Sequence, residues 1–422
     1  MTSLSTRKSR LLWAGAFSLV DTSNGAVMSV CQMLRQLIAQ GYEVAILGAT
    51  IFDHQRGSTR LKPHWAIIEE KSADVIYFED GPLLHRTVVT ASTSRDQMTS
   101  HETDLWFAQY QAALDGFKPD AVYFYGGNTL ELLIASEARA RGIPTIFYLA
   151  NGSYQGERWC RDVNLLLTNS RATAAMYAQT QGYVVTPVGA FIDPSGVMAK
   201  QHSRKRILFV NPTVEKGVGI VIMLALLLEQ RRPDIVFEVV EARGEWAGML
   251  RHISRGLGSE RNSLSNVVVT EHTDDMRPVY GRARLLLAPS LWWETFGRVA
   301  IEAMINGIPV IASKRGGLPE AIGDAGFTLT LPPQCYEAPY SYLPTAAGLE
   351  SLIEKIILRL YDDEAFYADY VGRARRMAQT QHSLQASTQR LLQAIEPLMS
   401  QRAGDCDGHA ALQALHKQGL PA

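Results

Sequence analysis

The strongest constraint on the fold is an alternation of short apolar runs and helical segments in the second half of the chain. Residues 285–288 are apolar and predict a buried strand, and residues 309–312 predict a second one. Between them, a helix is predicted from Phe296 to Asn306, with Gly307 as its stop signal. This succession of strand, loop, helix and strand predicts one βαβ unit of a parallel α/β sheet.

The same alternation covers most of the sequence and divides it into two halves. Apolar runs that predict strands lie at residues 11–18, 43–48, 75–78, 86–90, 121–125, 144–149 and 165–168 in the first half, and at 207–210, 236–240, 267–270 and 285–288 in the second. A charged stretch at residues 200–206 predicts an interdomain linker. We expect one domain over residues 1–195, a second over 196–375, a C-terminal helix over 376–400 and a tail over 401–422. Two α/β halves in one chain predict a ligand site in the cleft between them.

Composition and cysteine placement narrow the class of protein. With 422 residues, 46% of them hydrophobic and 20% charged, the chain can bury sizeable cores as a soluble globular protein. The formal net charge of −1 gives no basic field of the kind that nucleic-acid-binding proteins carry. Four widely spaced cysteines without a C-x-x-C pattern argue against a disulfide framework or a zinc site, so we expect a cytoplasmic protein. The longest apolar run, Gly219–Leu228, is too short to cross a membrane. The D-x-D triplet Asp405-Cys406-Asp407 lies in a polar tail, so we do not expect it to bind a metal.

Two acidic residues flank the start of the helix predicted between the last two strands. Gly297 is expected in its first turn, where the absence of a Cβ lets a ligand approach the free backbone N–H groups. These groups, together with the positive end of the helix dipole, favour a phosphate. Glu294 lies in the preceding loop and Glu302 about two turns inside the helix, so both can face the crevice at the carboxyl end of the strand. Carboxylates beside a phosphate-binding helix start suit a ligand with both phosphate and hydroxyl groups, such as a nucleotide sugar.

The ordered string of motifs around these residues resembles family 4 of the retaining glycosyltransferases. It consists of A-P-S at residues 288–290, E-T-F-G from Glu294 with a second glutamate at Glu302, and G-I-P-V-I-A-S-K-R-G-G-L-P-E at residues 307–320. The resemblance implies the GT-B fold, an α/β architecture of two Rossmann-like domains that face an interdomain cleft. It also implies a nucleotide sugar bound mainly to the second domain, an acceptor bound on the first, and a C-terminal helix that crosses back to the first domain.

The resemblance also implies roles for individual residues of this sequence. Glu294 and Lys216 are the implied catalytic residues, and Lys216 would stabilise the charge that develops on the donor diphosphate. Glu302 would accept hydrogen bonds from the ribose hydroxyls. The other implied donor-binding residues are Phe296 and Gly297 through their backbone N–H groups, Arg298 and Val299 at the helix start, Asn211 before the lysine loop, Gly25 after the first strand, and His272 near the base.

Two departures from the family pattern affect the site. The family usually has an arginine five or six positions before the lysine, where this sequence has Val210 and Asn211. That charge could come from another residue instead: Arg298, Lys314 or Arg315. The family often has a histidine near the reacting sugar, in the loop after residues 144–149, where this sequence has Asn151 and Ser153. A non-catalytic sugar-nucleotide-binding protein therefore stays an alternative.

The substrates and several alternatives stay open at this point. The resemblance implies a hexosyltransferase that uses a UDP- or GDP-linked donor, without a cofactor or metal, in glycan, glycolipid or glycoconjugate biosynthesis. The acceptor is unknown (a saccharide, a lipid-linked glycan, a protein or a small molecule), and contact with the inner membrane face stays open. An epimerase or a phosphorylase on the same fold is an alternative. A dinucleotide-dependent oxidoreductase is disfavoured because no G-x-G-x-x-G follows residues 11–18 or 207–210.

Overall fold

The first domain is built on an eight-stranded sheet. In the computed structural model, which describes residues 8–400, its strands are β1 Arg10–Ala14, β2 Glu43–Ala49, β3 Val75–Asp80, β4 Leu83–Val88, β5 Ala121–Phe124, β6 Thr145–Tyr148, β7 Leu165–Thr168 and β8 Val185–Pro187. The order is β3-β4-β2-β1-β5-β6-β7-β8, and neighbours are parallel except for the β3–β4 hairpin. The helices are α1 Gly25–Ala39, α2 Trp65–Glu70, α3 Ser100–Phe117, α4 Thr129–Ala140, α5 Arg171–Gln181 and α6 Pro194–Val197.

The second domain repeats this plan with a six-stranded parallel sheet. Its strands are β9 Arg206–Val210, β10 Val236–Val240, β11 Val267–Thr270, β12 Ala283–Ala288, β13 Val310–Ser313 and β14 Gly326–Leu329, in the order β11-β10-β9-β12-β13-β14. The helices are α7 Val218–Arg231, α8 Trp246–Gly256, α9 Arg277–Arg282, α10 Arg298–Ile305, α11 Leu318–Ile322, α12 Ala346–Leu352, α13 Leu358–Asp362, α14 Glu364–Thr380 and α15 Leu384–Ser400.

The strand orders locate a ligand crevice in each domain. In the first sheet β1 lies between β2 and β5, and in the second β9 lies between β10 and β12, so the direction of winding reverses at these strands. Loops at the carboxyl ends of such strands diverge and leave a crevice for a ligand. The two parallel α/β sheets confirm the predicted fold class of two Rossmann-like domains.

One predicted strand of the first domain is shifted. The sequence predicted a strand at residues 86–90, whereas β4 spans Leu83–Val88 and pairs antiparallel with β3. The two strands are joined by a tight turn at Gly81, whose φ of +61° suits glycine. The turn fixes the register, with Asp80 opposite Leu83, so the strand begins earlier than its apolar pattern suggested.

The apolar stretch at Gly219–Leu228 forms most of α7 and is buried on nearly all sides. Residues of α7 pack against the second sheet and against α8 and α12, in one core cluster with strand residues such as Phe209 and Phe237. A helix that is apolar all round requires such burial. Among residues 8–400, no helix is both long and apolar enough to cross a membrane.

The last two helices belong to different domains. Ala374 and Ala378 of α14 are buried in the core of the second domain, together with residues of α10. In α15, Leu391 and Ile395 are buried in the core of the first domain together with Trp13 of β1. The chain therefore returns to the first domain through α15. The boundaries proposed at residues 195 and 375 stay predictions, and the tail from residue 401 lies outside the described residues.

A buried carboxylate on β10 should stabilise the second domain. Glu238 is fully buried, and its side chain accepts from Arg282 at 2.6 Å, Arg206 at 3.1 Å and Thr270 at 2.9 Å. We expect Glu238→Gln to lower the free energy of unfolding by about 2 kcal/mol at pH 7, since it removes charged hydrogen bonds and leaves two arginines without their partner. Urea unfolding measures this, with Glu260→Gln as the control because Glu260 forms an exposed ion pair with Arg255 and should cause no measurable change.

The same variant should change the pH dependence of stability. Burial alone would raise the pKa of Glu238, but hydrogen bonds from Arg282 and Thr270 and the charges of both arginines hold that pKa below its usual value. A carboxyl with a lowered pKa in the folded state adds stability above its unfolded pKa of about 4.3, and this stability is lost as the pH falls through the folded pKa. The difference in free energy of unfolding between wild type and Glu238→Gln should therefore become smaller below about pH 4. A constant difference from pH 7 to pH 3 would contradict this account.

Candidate functional site

A large cavity lies between the carboxyl ends of the two sheets. Its volume is about 1260 Å³, and both domains line it. The first domain contributes the loops after β1 and β5, including Gly25 and Tyr125, and the second contributes the loops after β9 and β12, including Lys216 and Glu294. Pockets for one drug-sized ligand are roughly 300–1,000 Å³, so this cavity can hold two substrates side by side.

The two residues predicted to be catalytic form an ion pair in this cavity. Lys216 Nζ contacts the Glu294 carboxylate, although the residues are 78 positions apart in the sequence. Ser290 Oγ donates to the same carboxylate oxygen at 2.8 Å. The ammonium group also lies 4.9 Å from the ring centre of Trp292, which places it over an aromatic face. The pair therefore has two further partners, Ser290 on the carboxylate and Trp292 on the ammonium.

This environment keeps Glu294 charged. Burial alone would raise the pKa of Glu294, but the adjacent Lys216 charge and hydrogen bonds from Lys216 and Ser290 outweigh it and hold the pKa below its usual value. A carboxylate that is ionised at neutral pH can accept hydrogen bonds from sugar hydroxyls. It also balances the charge of Lys216.

The backbone around Glu294 is held by the two glycines after β13. Gly317 N–H donates to the Glu294 carbonyl at 2.8 Å. Gly316 has a φ of +58°, and a Cβ on it would overlap the backbone of Glu294. The Gly316-Gly317 pair therefore lets two loops approach so closely that only hydrogen atoms fit between them. This contact is the structural reason for the G-G pair in the motif.

Helix α10 begins two positions later than predicted, at Arg298, and points its amino end into the cavity. Gly297 is its N-cap rather than a first-turn residue, with a φ of +86° and no side-chain hydrogen bond to the first-turn N–H groups. A Cβ at Gly297 would overlap Leu318. Free N–H groups and the helix dipole make this end a suitable place for a phosphate, as predicted from the sequence. Arg298 and Val299 also line the cavity.

Glu302 lines the same cavity, and both of its oxygens already have partners. Tyr280, which is fully buried, donates its hydroxyl to Oε2 at 2.6 Å. Arg298 Nε lies 2.6 Å from Oε1 as an ion pair between residues one helical turn apart. The sequence predicted the carboxylate but neither partner, because Tyr280 lies on α9 and no local pattern connects α9 with α10.

Three other predicted donor-binding residues have structural contacts. Asn211 lines the cavity with its φ at +65°, but its Oδ1 accepts from the backbone N–H groups of Arg243 and Gly244, both at 3.0 Å. The Phe296 side chain is buried in the core of the second domain and does not line the cavity, which leaves only its backbone for a ligand. His272 lines the cavity, 3.5 Å from Asp274.

The start of α1 differs from the start of α10. Gly25 lines the cavity, as its predicted role requires, and a Cβ on it would lie 4.0 Å from Arg298 Cδ. However, Asn24 Oδ1 accepts from the N–H groups of Ala26 and Val27 at 2.8 and 3.2 Å. The first-turn donors of α1 are thus partly used, whereas those of α10 have no side-chain cap. A contact between Gly25 and a phosphate stays a prediction.

Both domains hold the loop that carries Glu294. The carbonyl of Thr295 accepts from Ser170 Oγ at 2.5 Å and from Thr173 Oγ1 at 3.1 Å. On the other side of the glutamate, Trp293 Nε1 donates to Thr173 at 3.2 Å, and a Cβ on Gly152 would lie 2.7 Å from the Trp293 ring. The first domain therefore positions this loop from outside the cavity.

In the loop after β6, where the family often has a histidine, Asn151 and Ser153 line the cavity, and neither side chain is titratable. Asn151 Oδ1 accepts from the backbone N–H and the hydroxyl of Ser153, at 3.0 and 2.6 Å, and so stabilises a turn.

Across the opening of the cavity, Asp53 lies 3.8 Å from Arg243 and Thr59 donates to Asp274 at 2.7 Å. No pattern in the sequence predicted these contacts between the domains. Within residues 8–400, no three His, Cys, Asp or Glu side chains are grouped as metal ligands, and Asp405-Cys406-Asp407 lies outside that range.

Comparison with known sequences identifies the second domain. The family model described as "Glycosyl transferases group 1" matches residues 204–338. The spore coat protein SA of Bacillus subtilis is 27% identical over 161 residues, which are 36% of this chain and 41% of that protein. The D-inositol 3-phosphate glycosyltransferase of Corynebacterium aurimucosum is 32% identical over 114 residues, or 26% of each chain. The chain thus spans less than half of the length of these curated relatives.

Comparison with solved structures covers the whole architecture. The sucrose-phosphate synthase of Thermosynechococcus elongatus superposes with a TM-score of 0.67 at 17% identity, over 93% of this chain and all of that one. HepE of Anabaena, solved in complex with UDP and glucose, superposes with a TM-score of 0.63 at 17% identity, over 92% of this chain and 100% of that chain. Both are glycosyltransferases of the GT-B fold. Residues 204–338 of this chain therefore match a glycosyl transferases group 1 model, and the chain has the two-domain GT-B fold.

Proposed function

We propose that the protein is a retaining glycosyltransferase of family 4, a hexosyltransferase that moves a sugar from a nucleotide-diphosphate sugar to an acceptor hydroxyl. The observation that carries this proposal is the Lys216–Glu294 pair beside the uncapped start of α10 in the interdomain cavity. A cation and a helix start can hold a diphosphate, and a charged carboxylate next to them can hold the hydroxyls of a sugar. The match to a glycosyl transferases group 1 model supports the same reading.

The donor would lie along the second domain. Its diphosphate would contact Lys216 and the first-turn N–H groups after Gly297, and its sugar hydroxyls would bind Glu294. Glu302 would accept hydrogen bonds from the ribose hydroxyls, and His272 would contact the base. The acceptor would approach from the first domain, past Gly25. The cavity volume favours transfer between two substrates over an epimerase reaction, which needs only one.

The proposed reaction transfers the sugar with retention of configuration at its anomeric carbon. The bond between the anomeric carbon and the diphosphate oxygen breaks, and the acceptor oxygen forms a new bond to that carbon on the same face, through an oxocarbenium-like state. The proton of the acceptor hydroxyl passes to the departing phosphate oxygen. Lys216 and the helix start stabilise the charge that grows on the diphosphate as the bond breaks. Closure of the domains around both substrates would exclude water and so limit hydrolysis.

Binding of nucleotide sugars tests this proposal. We expect one UDP- or GDP-linked sugar to raise the thermal unfolding temperature without added divalent metal, because a ligand at 100 times its Kd adds about 2.7 kcal/mol of stability. The anomeric configuration of the product, read by NMR after incubation with candidate acceptors, tests retention. Absence of stabilisation by every nucleotide sugar, in protein shown to be folded, would contradict the proposal.

The cellular setting is also a proposal. We propose a cytoplasmic enzyme of glycan, glycolipid or glycoconjugate biosynthesis, with a saccharide, lipid-linked glycan, protein or small molecule as acceptor. The cysteine pattern and the net charge of −1 are consistent with this setting. A lipid-linked acceptor would bring the protein to the inner membrane face as a peripheral protein. Co-sedimentation with vesicles that contain such an acceptor tests that contact.

A further inference from the structure

We propose that Arg298 exchanges partners when the donor binds. It pairs with Glu302 before binding and moves to the donor diphosphate as the ribose hydroxyls take over the glutamate. This inference rests on the proposed function, and it adds an exchange of partners to the donor-binding role that the resemblance implies for Arg298.

Glu302 has two partners in the cavity, and only one of them can be displaced by a ribose. Its Oε2 accepts from Tyr280 and its Oε1 is paired with Arg298, both at 2.6 Å. Tyr280 is fully buried and cannot leave without opening the core. Arg298 is the movable partner, because its side chain lines the cavity and is 20% exposed.

The existing contact between Arg298 and the Glu302 carboxylate lacks a well-directed hydrogen bond. Although Arg298 Nε lies close to the Glu302 carboxylate, its N–H is not directed at the oxygen and has no hydrogen-bond acceptor in the described part of the chain. Nη1 donates to the Phe191 carbonyl at 3.1 Å, which uses one of the five guanidinium N–H groups. A buried donor without an acceptor is costly, so a ligand that satisfies it gains binding free energy.

At the proposed diphosphate position, the lysine predicted from the motif is already paired with a carboxylate. Lys216 is neutralised by Glu294, and the positions before it hold Val210 and Asn211 rather than an arginine. A nucleotide-diphosphate sugar carries two negative charges, and the helix start supplies only about half a positive charge. Arg298 is the first residue of α10, directly after the N-cap. Its guanidinium fork suits bidentate contact with phosphate oxygens.

The exchange predicts opposite effects on two kinds of ligand. The Arg298→Leu substitution frees Glu302 for a ribose, but it removes the cation that would bind the diphosphate. Arg298→Leu should therefore bind a nucleoside as tightly as wild type or more tightly, and bind the matching nucleoside diphosphate about 10- to 100-fold more weakly. Arg298→Lys keeps a charge without the fork, so its affinity for the diphosphate should lie between the two.

Isothermal titration calorimetry with uridine, guanosine and adenosine, and with UDP, GDP and ADP, measures both affinities. Arg255→Leu is the control, since Arg255 lies on α8 outside the cavity in an exposed ion pair and should change neither affinity. If wild type binds a nucleoside diphosphate but Arg298→Leu weakens nucleoside and diphosphate equally, Arg298 has only a structural role and the exchange is wrong. If folded wild type binds none of the six compounds, the proposed function fails and the exchange fails with it.

Discussion

Replacing Lys216 with alanine should lower kcat/KM for sugar transfer by about two to three orders of magnitude, the loss seen when one group that stabilises developing charge is removed. The variant loses the ammonium next to the departing diphosphate, and it leaves Glu294 as a buried carboxylate without its countercharge. Release of nucleoside diphosphate in the presence of the acceptor measures the rate. Lys355→Ala is the matched control because Lys355 is exposed and does not line the cavity, and its rate should equal that of wild type.

Glu294→Gln tests the other half of the pair. Glutamine keeps the shape of the side chain and the hydrogen bond from Ser290. It removes the negative charge that pairs with Lys216 and that would strengthen hydrogen bonds from the sugar hydroxyls. Turnover should again fall by orders of magnitude, while circular dichroism stays that of the wild type. The two losses should not add in the double variant, because each single change already breaks the same pair. Wild-type turnover in both single variants would overturn the assignment of the site.

Replacing Gly316 with alanine should abolish transfer almost as completely, although residue 316 contributes no functional group. Its φ of +58° costs a residue with a Cβ roughly 1–2 kcal/mol, and the added Cβ would overlap the backbone of Glu294 and displace the loop that carries it. Gly182→Ala is the control: Gly182 has a φ of +73° but open space where the Cβ would lie. Both variants should lose stability from backbone strain in urea unfolding, and Gly316→Ala should lose more because its Cβ also overlaps the Glu294 backbone.

Only Gly316→Ala should also lose transfer, since only its Cβ meets the catalytic loop. Equal activity of the two variants would mean that the position of the Glu294 backbone is not critical. Loss of activity in both would mean that backbone strain alone disturbs the site. The comparison therefore separates the effect of strain from the effect of contact with Glu294.

The fold was predictable because apolar periodicity reports burial, and nearly every predicted strand forms within a few residues of its expected position. The carboxylates Glu294 and Glu302 and the cation Lys216 were also predictable, because the motif fixes their places at the ends of β9 and β12. Their convergence follows from topology: parallel strands that are neighbours in a sheet end at the same edge.

The partners of these residues were not predictable from the sequence. The pairing of Glu302 with Tyr280 and Arg298 depends on the packing of α9 against the sheet and on the choice of a side-chain rotamer, neither of which leaves a periodic pattern. The same holds for the Asn24 cap on α1 and for the role of Asn211, whose amide oxygen serves the backbone rather than the cavity. Long-range contacts between side chains require the three-dimensional structure.

The return of the chain through α15 makes the first domain discontinuous in sequence. Its core is completed by Leu391 and Ile395, which follow the whole second domain along the chain. An exchange of domains between two related proteins at a single junction after β8 would therefore join the sheet of one parent to the closing helix of the other. A functional chimaera needs two junctions, with residues from Leu384 onward taken from the same parent as residues 10–187. The second domain, in contrast, can be inserted as one continuous piece.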